Sequence, residues 1–329
     1  MGYGNYSHEA HEAILRGRAN VPAQQVFRQQ ACHPLMNPKG VRARESRDSA
    51  DHPNSIGIVF ALDVTGSMGI IPRLLATEQL PKFMKVLGDC KVPDPQLLFM
   101  AVGDATSDRA PLQVGQFEST AQLMDQWLTW SYLEGGGGGG GQESYELALY
   151  FLAQHTEMDC WVKRKKRGYL FMTGDELPYP MLSKHVVEAI IGDKLDDDLK
   201  VEEIIAEMAK TIVPFFVIPD YERRKRCEAR WRELLGDHVL CMESPQDICF
   251  VTSGAISLSE GFVADLDSLT RLLRDASVPR ERASPAVRAL TPLAESLGRN
   301  GHFAASAVKD ASEFLAGSLK RLFGGHDKK

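Results

Sequence analysis

Apolar residues gather in short uninterrupted runs along this chain, and between the runs they recur at helical spacing. Residues 56–62, 97–103, 169–173 and 212–218 are runs of the kind that form strands buried on both faces of a parallel sheet. Residues 111–117 alternate and predict an edge strand, and 239–242 predict a last short strand. Helices are predicted over 70–87, with Pro72 tolerated in the first turn, and over 120–132, 142–155, 181–192, 201–210 and 221–235. The apolar stretch 246–253 also reads as helical. Strands alternating with helices imply an α/β fold with a mostly parallel central sheet and helices on both faces. Such a sheet places its ligand site outside the carboxyl ends of its strands. The residues just past the runs are therefore the ones to inspect: 63–67, Asp104, Asp175 with Glu176, and Asp220. Four strands are followed by an acidic residue, and carboxylates crowded at one sheet edge repel unless a cation joins them.

The flanks differ. Residues 8–18 predict one short helix, and 33–55 are rich in Pro, Asn, Asp, Arg and Ser, as in a turn-rich arm. RARESRDSADHP carries both signs of charge, so the arm is either laid over a charged surface or left disordered. Beyond residue 257 the pattern is helical over 266–273, 286–297 and 304–322. The last of these either packs back on the domain or docks a partner. The expected organisation is an N-terminal arm 1–55, an α/β domain 56–257 and a helical C-terminal extension 258–329.

With 329 residues the chain is long enough for one large α/β domain plus extensions. Its net charge of -6 gives no general attraction to nucleic acid. Cys32, Cys90, Cys160, Cys227, Cys241 and Cys249 form no C-x-x-C pair, as in the reduced thiols of a cytosolic protein. Cys241 and Cys249 lack the spaced histidines of a zinc site. The N-terminal residues lack the features of a signal peptide, Tyr6 stands where a myristoylation signal has Ser or Thr, and no apolar run reaches membrane length. These features predict a cytoplasmic protein without nucleic-acid or membrane partners.

The most specific chemistry lies in IVFALDVTGSMG, residues 58–69. The strand delivers Asp63 to the sheet edge, and the turn sets the Thr65 and Ser67 hydroxyls beside it. One carboxylate and two hydroxyls are hard oxygen donors suited to Mg²⁺ or Mn²⁺. D-x-T-G-S-M-G after a buried strand resembles the metal-ion-dependent adhesion site of von Willebrand factor type A domains, D-x-[ST]-x-S. The resemblance covers roughly residues 56–255 and implies a Rossmann-like fold. It also implies a metal whose open position takes an acidic residue from a partner protein.

Two further parts of the family's site have counterparts, with departures. In GGGGGGGQESYELALY the family's usual Thr is replaced by Glu143, with Ser144 next, and either residue is a candidate ligand. In YLFMTGDELPYP the expected Asp falls one place later, at Asp175, a candidate for a water-mediated ligand, with Glu176 second. The glycine run lacks the Lys-Ser/Thr of a phosphate-binding loop and reads as a flexible rim loop. The resemblance implies a non-enzymatic adaptor or scaffold. Its partner would present an acidic residue, as an AAA+ ATPase or a multiprotein assembly could.

Two other readings stand beside it. D-x-T-G-S also resembles the D-K-T-G-T of P-type ATPases, whose haloacid-dehalogenase-like fold uses the Asp as a phosphoryl acceptor; Asp63 would then be a nucleophile. Val64 in place of Lys, Thr65 where soluble phosphatases have a second Asp, and the lack of membrane segments count against it. The third reading is a scaffold with a purely structural metal. The basic clusters at 163–167 and 223–226 read as solvated ends, although the second lies on the same rim as Asp63 and could meet an acidic partner segment.

Overall fold

The structure, a computed structural model, describes residues 4–18, 20–135, 140–276 and 278–299. The segment 304–322 and most of the glycine run lie outside the described residues. At the centre is a six-stranded sheet: β1 (Ile56–Asp63), β2 (Pro95–Val102), β3 (Leu112–Val114), β4 (Gly168–Thr173), β5 (Ile212–Ile218) and β6 (Val239–Cys241). Their spatial order is β6-β5-β4-β1-β2-β3. All neighbours pair in parallel except β3, which runs antiparallel at one edge. The six strands are the six runs predicted from apolar patterning. All eight residues of β1 are buried, because helices cover both faces of the sheet.

Side chains alternate between two cores. Ile58, Phe60, Leu62, Phe99, Phe171 and Phe215 face one layer, whereas Val59, Ala61, Met100, Met172 and Phe216 face the other. The first layer includes α1 (His8–Arg18), α2 (Ile70–Leu74), α3 (Leu80–Asp89) and α4 (Ala121–Thr129). The second holds α5 (Tyr145–Gln154), α6 (Val201–Met208) and α7 (Tyr221–Leu235). The helices α8 (Ile248–Ser259), α9 (Leu266–Asp275) and α10 (Arg280–Arg299) close the first face. Leu269, Leu273, Ala286, Leu290 and Leu293 join the same core cluster as Phe60. The C-terminal helices are thus part of the packed body.

The single helix expected over 70–87 is interrupted: α2 and α3 are joined by a π-helical turn at Leu75–Gln79. Pro81 has no N–H to give to the carbonyl of Thr77 and its ring crowds that position, so the turn widens.

The arm is ordered against the body. Arg44–Ser46 pairs in parallel with Thr156–Met158, and Val26, Phe27 and Met36 enter the first core. Arg164 donates to Asp48 Oδ2 at 2.7 Å and to the Ser55 carbonyl at 2.6 Å, and Lys163 reaches Asp48 at 3.2 Å. Arg167 is buried and donates to the Ala209 carbonyl. Within the cluster 163–167, read from sequence as solvated, Lys163 and Arg164 therefore fasten the arm. Arg164→Ala is expected to lower stability by about 1–2 kcal/mol. It should also speed proteolysis within residues 42–55 under native conditions. Urea midpoints and a timed digest check both effects.

Candidate metal site

Strand order reverses between β1 and β4, since the chain moves outward from β1 to β3 and then returns to β4 on the other side. That reversal lies at the carboxyl ends of β1 and β4, the position where α/β folds bind ligands. Leu62 pairs with Thr173, so Asp63 and Gly174 are the next residues out. Gly66 has φ 41°, a left-handed conformation that lets the chain turn sharply after Thr65.

Asp63 is fully buried. Its Oδ1 accepts from the Thr65 N–H at 2.9 Å and the Thr65 hydroxyl at 2.6 Å, and its Oδ2 accepts from the Tyr145 hydroxyl at 2.6 Å. Burial pushes the Asp63 carboxyl up to about 7 against these three donors, with Asp175 adding to the rise. Glu143 is also buried, and its Oε2 has no hydrogen-bond partner. Burial raises it to about 9, and Asp63 and Glu176 contribute as like charges. Asp63, Thr65 and Glu143 are thus brought together, and the described part of Ser67 is its backbone in the turn Gly66–Gly69.

Ser144 points elsewhere. Its hydroxyl accepts from the Ala105 N–H at 2.9 Å and lies 3.5 Å from Asp104. Asp104 in turn is held by the Thr106 N–H and hydroxyl and by the Tyr179 hydroxyl. Between the two candidates for the replaced Thr, Glu143 faces Asp63 and Ser144 fastens the loop after β2. Asp175 is near enough to raise Asp63, but its Oδ2 is taken by Arg223 Nε at 3.1 Å and Arg226 at 3.3 Å, both from α7. Arg223 also pairs with Asp220, which caps α7.

Sequence reading missed Tyr145, Gly174 and Glu146, and it set the basic cluster 223–226 on this rim without its pairing to Asp175. Glu146 is buried, pushed up to about 8 by desolvation, and accepts from the Tyr179 N–H. Nothing in a sequence marks a core tyrosine as a partner of an aspartate 82 positions earlier. Gly174 was the available signal, because a glycine straight after a buried strand marks close approach.

The residues present fit a hard divalent cation. The donors are carboxylate and hydroxyl oxygens, one carboxyl oxygen is buried and unpartnered, and the Asp63 and Glu143 carboxyls are raised first by burial and then by nearby acidic groups. A cation among them would offset both shifts by favouring the ionised carboxylates. No group of three or more His, Cys, Asp and Glu side chains arranged for a metal occurs among the described residues. The donor set at Asp63 is of another kind, because Thr65 brings a hydroxyl to it.

The chain is therefore a Rossmann-like α/β protein with an oxygen-rich site at its switch point. By fold and by its first strand and turn it is similar to von Willebrand factor A domains. No family model and no curated protein matches it. Solved structures similar to it include a von Willebrand factor type A protein from Catenulispora acidiphila, at 13% identity and TM-score 0.40, covering 63% of this chain and 43% of that one. The pilus adhesin SpaC from Lactobacillus rhamnosus GG is 10% identical with TM-score 0.41, covering 69% and 31%. Proximal thread matrix protein 1 from the mussel byssus, with a zinc-occupied metal-ion-dependent adhesion motif, is 10% identical with TM-score 0.36, covering 68% and 51%. The chain thus spans about half or less of each of these proteins. No helix among the described residues is long and apolar enough to cross a membrane.

Proposed function

We propose that the protein is a divalent-metal-dependent protein-binding module of the von Willebrand factor A type, acting as an adaptor or scaffold rather than as an enzyme. The observation that carries the reading is the buried Glu143 carboxyl, whose Oε2 has no hydrogen-bond partner, beside Asp63 and Thr65 at the end of the central strand. Asp63, Thr65, Ser67 and Glu143 would hold Mg²⁺ or Mn²⁺, and an open position would take a carboxylate from a partner protein. Ser144 and Asp175 would serve from the periphery, the first by fixing the adjoining loop and the second by setting the charge of the rim. The partner, a cytoplasmic AAA+ ATPase or multiprotein assembly in this reading, would be recognised by an exposed acidic residue.

Phosphoryl transfer through Asp63 is the weaker alternative. Val64 stands where the transporter motif has Lys, and Thr65 where the soluble phosphatases have a second Asp. The test is a thermal melt with a calorimetric titration of Mg²⁺ and Mn²⁺. A metal that binds only the folded chain at a hundredfold excess over its dissociation constant stabilises it by about 2.7 kcal/mol. Asp63→Ala is expected to abolish both the heat and the shift. If parent and variant respond alike, the ion binds elsewhere and the reading fails.

A further inference from the structure

Apart from the metal site, α1, the π-helical turn, α3, α8 and the start of α10 enclose a cavity of about 650 Å³. That is the size of a small-molecule site. None of the metal-site residues lines it. Leu15, Pro81, Val86, Phe250 and Val278 give it an apolar wall. The cations of the wall are answered within the protein: Lys82 by Glu78 at 2.6 Å, Lys85 by Asp89 at 2.9 Å, Arg282 by Asp247 at 3.4 Å and Arg16 by Glu12 at 3.5 Å. With the exposed Glu281 added, the cavity has no positive charge to spare, which disfavours an anionic occupant.

Gln79, the last residue of the π-helical turn, supplies the polar feature that the paired charges do not. It lines the cavity and is 2% exposed. The turn is pinned from two sides. Leu80 N–H bonds the Leu75 carbonyl, five residues back, which releases the Ala76 carbonyl to Arg18 of α1 at 3.3 Å. The Gln79 carbonyl accepts from the Cys249 thiol of α8 at 3.0 Å. The side-chain amide has one orientation. Its Nε2 donates to Glu78 Oε1 at 3.1 Å and to Gln246 Oε1 at 3.0 Å, and the Glu78 carboxylate, which also holds Lys82, only accepts. Oε1 is therefore a buried acceptor, and it has no donor. His8 Nδ1, from α1 in the wall of the same cavity, is likewise buried without a partner. Buried polar atoms are nearly always bonded, and π-helical turns inside helices gather at functional sites.

We infer that this cavity binds a small uncharged molecule with an apolar body and one N–H or O–H donor, which bonds Gln79 Oε1. The apolar wall takes the body. Gln246 is half-buried and serves Gln79 only as an acceptor, so it gives way to the entering group without removing a donor from Oε1. A site with an unmet buried acceptor selects its ligand by the donor more sharply than by the size of the apolar body. The inference does not depend on the metal reading.

The probes are indole and 1-methylindole, which share a ring system and differ in that only the first has an N–H donor. Dissociation constants come from ligand-detected NMR titrations of the full chain. The parent is expected to bind indole more tightly by roughly tenfold. Gln79→Met keeps the length of the side chain and removes the acceptor, and it is expected to bring the two constants within about twofold of each other. Ala276→Trp, which builds a ring into the cavity from the C-cap of α9, should abolish binding of both probes. Circular dichroism verifies the fold of each variant, and the comparison of probes on the parent decides the matter even where a variant does not fold. Asp63→Ala should bind indole as the parent does. Equal binding of the two probes by the parent, no saturable binding of indole at millimolar concentration, or a preference that survives in Gln79→Met overturns the inference. So does indole binding that a folded Ala276→Trp leaves unchanged, because the probe then sits elsewhere.

Discussion

Glu143→Gln is expected to flatten the pH dependence of stability of the metal-free protein above neutrality and to weaken Mg²⁺ binding by roughly tenfold or more. The folded Glu143 carboxyl is raised to about 9 from an ordinary 4.5, first by burial and then by Asp63 and Glu176. Between those values the folded chain holds a proton that the unfolded chain has released. Stability therefore falls as the pH rises through that window, by at most about 1.4 kcal/mol per pH unit for one group. Asp63, raised to about 7, and Glu146, raised to about 8, act in the same sense over shorter windows.

Two histidines, the buried His11 and the half-buried His238, act the other way. His11 and His238 are lowered by desolvation to about 4, so stability rises with pH between about 4 and their ordinary 6.5. Below 6.5 the two trends oppose each other. Above it the histidine contribution is complete and the acids alone remain. Urea midpoints at pH 6.5, 7.5 and 8.5 in a chelator should therefore decline for the parent and decline less for Glu143→Gln. Saturating Mg²⁺ should remove most of the parent's decline, because the cation favours the ionised carboxylates. Parallel curves in chelator would mean that the folded protein does not hold the Glu143 proton.

The six strands were legible because burial on both faces leaves a continuous apolar run with no competing signal. Asp63 and Thr65 were legible as neighbours because they follow one such run directly, so local geometry settles their proximity. Other features were not local. The arm's charged residues find partners more than a hundred positions away, as Asp48 does with Arg164. Pro81 was inside a good amphipathic pattern, and its effect on the helix shows only in the widened turn before it. Asp175 looked like a ligand from its place after β4; that α7 would bring two arginines to it depends on how a distant helix docks. The choice between Glu143 and Ser144 turned on a single backbone step. The residue at the N-cap of α5 faces the β2 loop, and the one before it faces Asp63.

Gly174→Ala is expected to destabilise the protein by about 3 kcal/mol and to impair metal binding as well. Gly174 does not have a positive φ, so space rather than backbone conformation demands the glycine. A methyl group there would lie 2.6 Å from Tyr145 Cζ, closer still to the Tyr145 hydroxyl, and 2.9 Å from Phe216 Cζ. Neither ring can yield: both are fully buried, and Tyr145 meets Phe216 and Trp231 edge-on, each at 5.6 Å between centroids. Moving Tyr145 away would break its hydrogen bond to Asp63 Oδ2 and leave that oxygen without its donor. Tyr145→Phe takes away the nearest clashing atom but also the hydrogen bond, and the ring carbon remains too close. The double variant should therefore lie well short of the sum of the single losses, with a coupling of about 1 kcal/mol or more. A cycle of urea midpoints on the four proteins measures it. Strict additivity would show that Gly174 and Tyr145 act separately, and that the tyrosine does not owe its place beside Asp63 to the missing side chain.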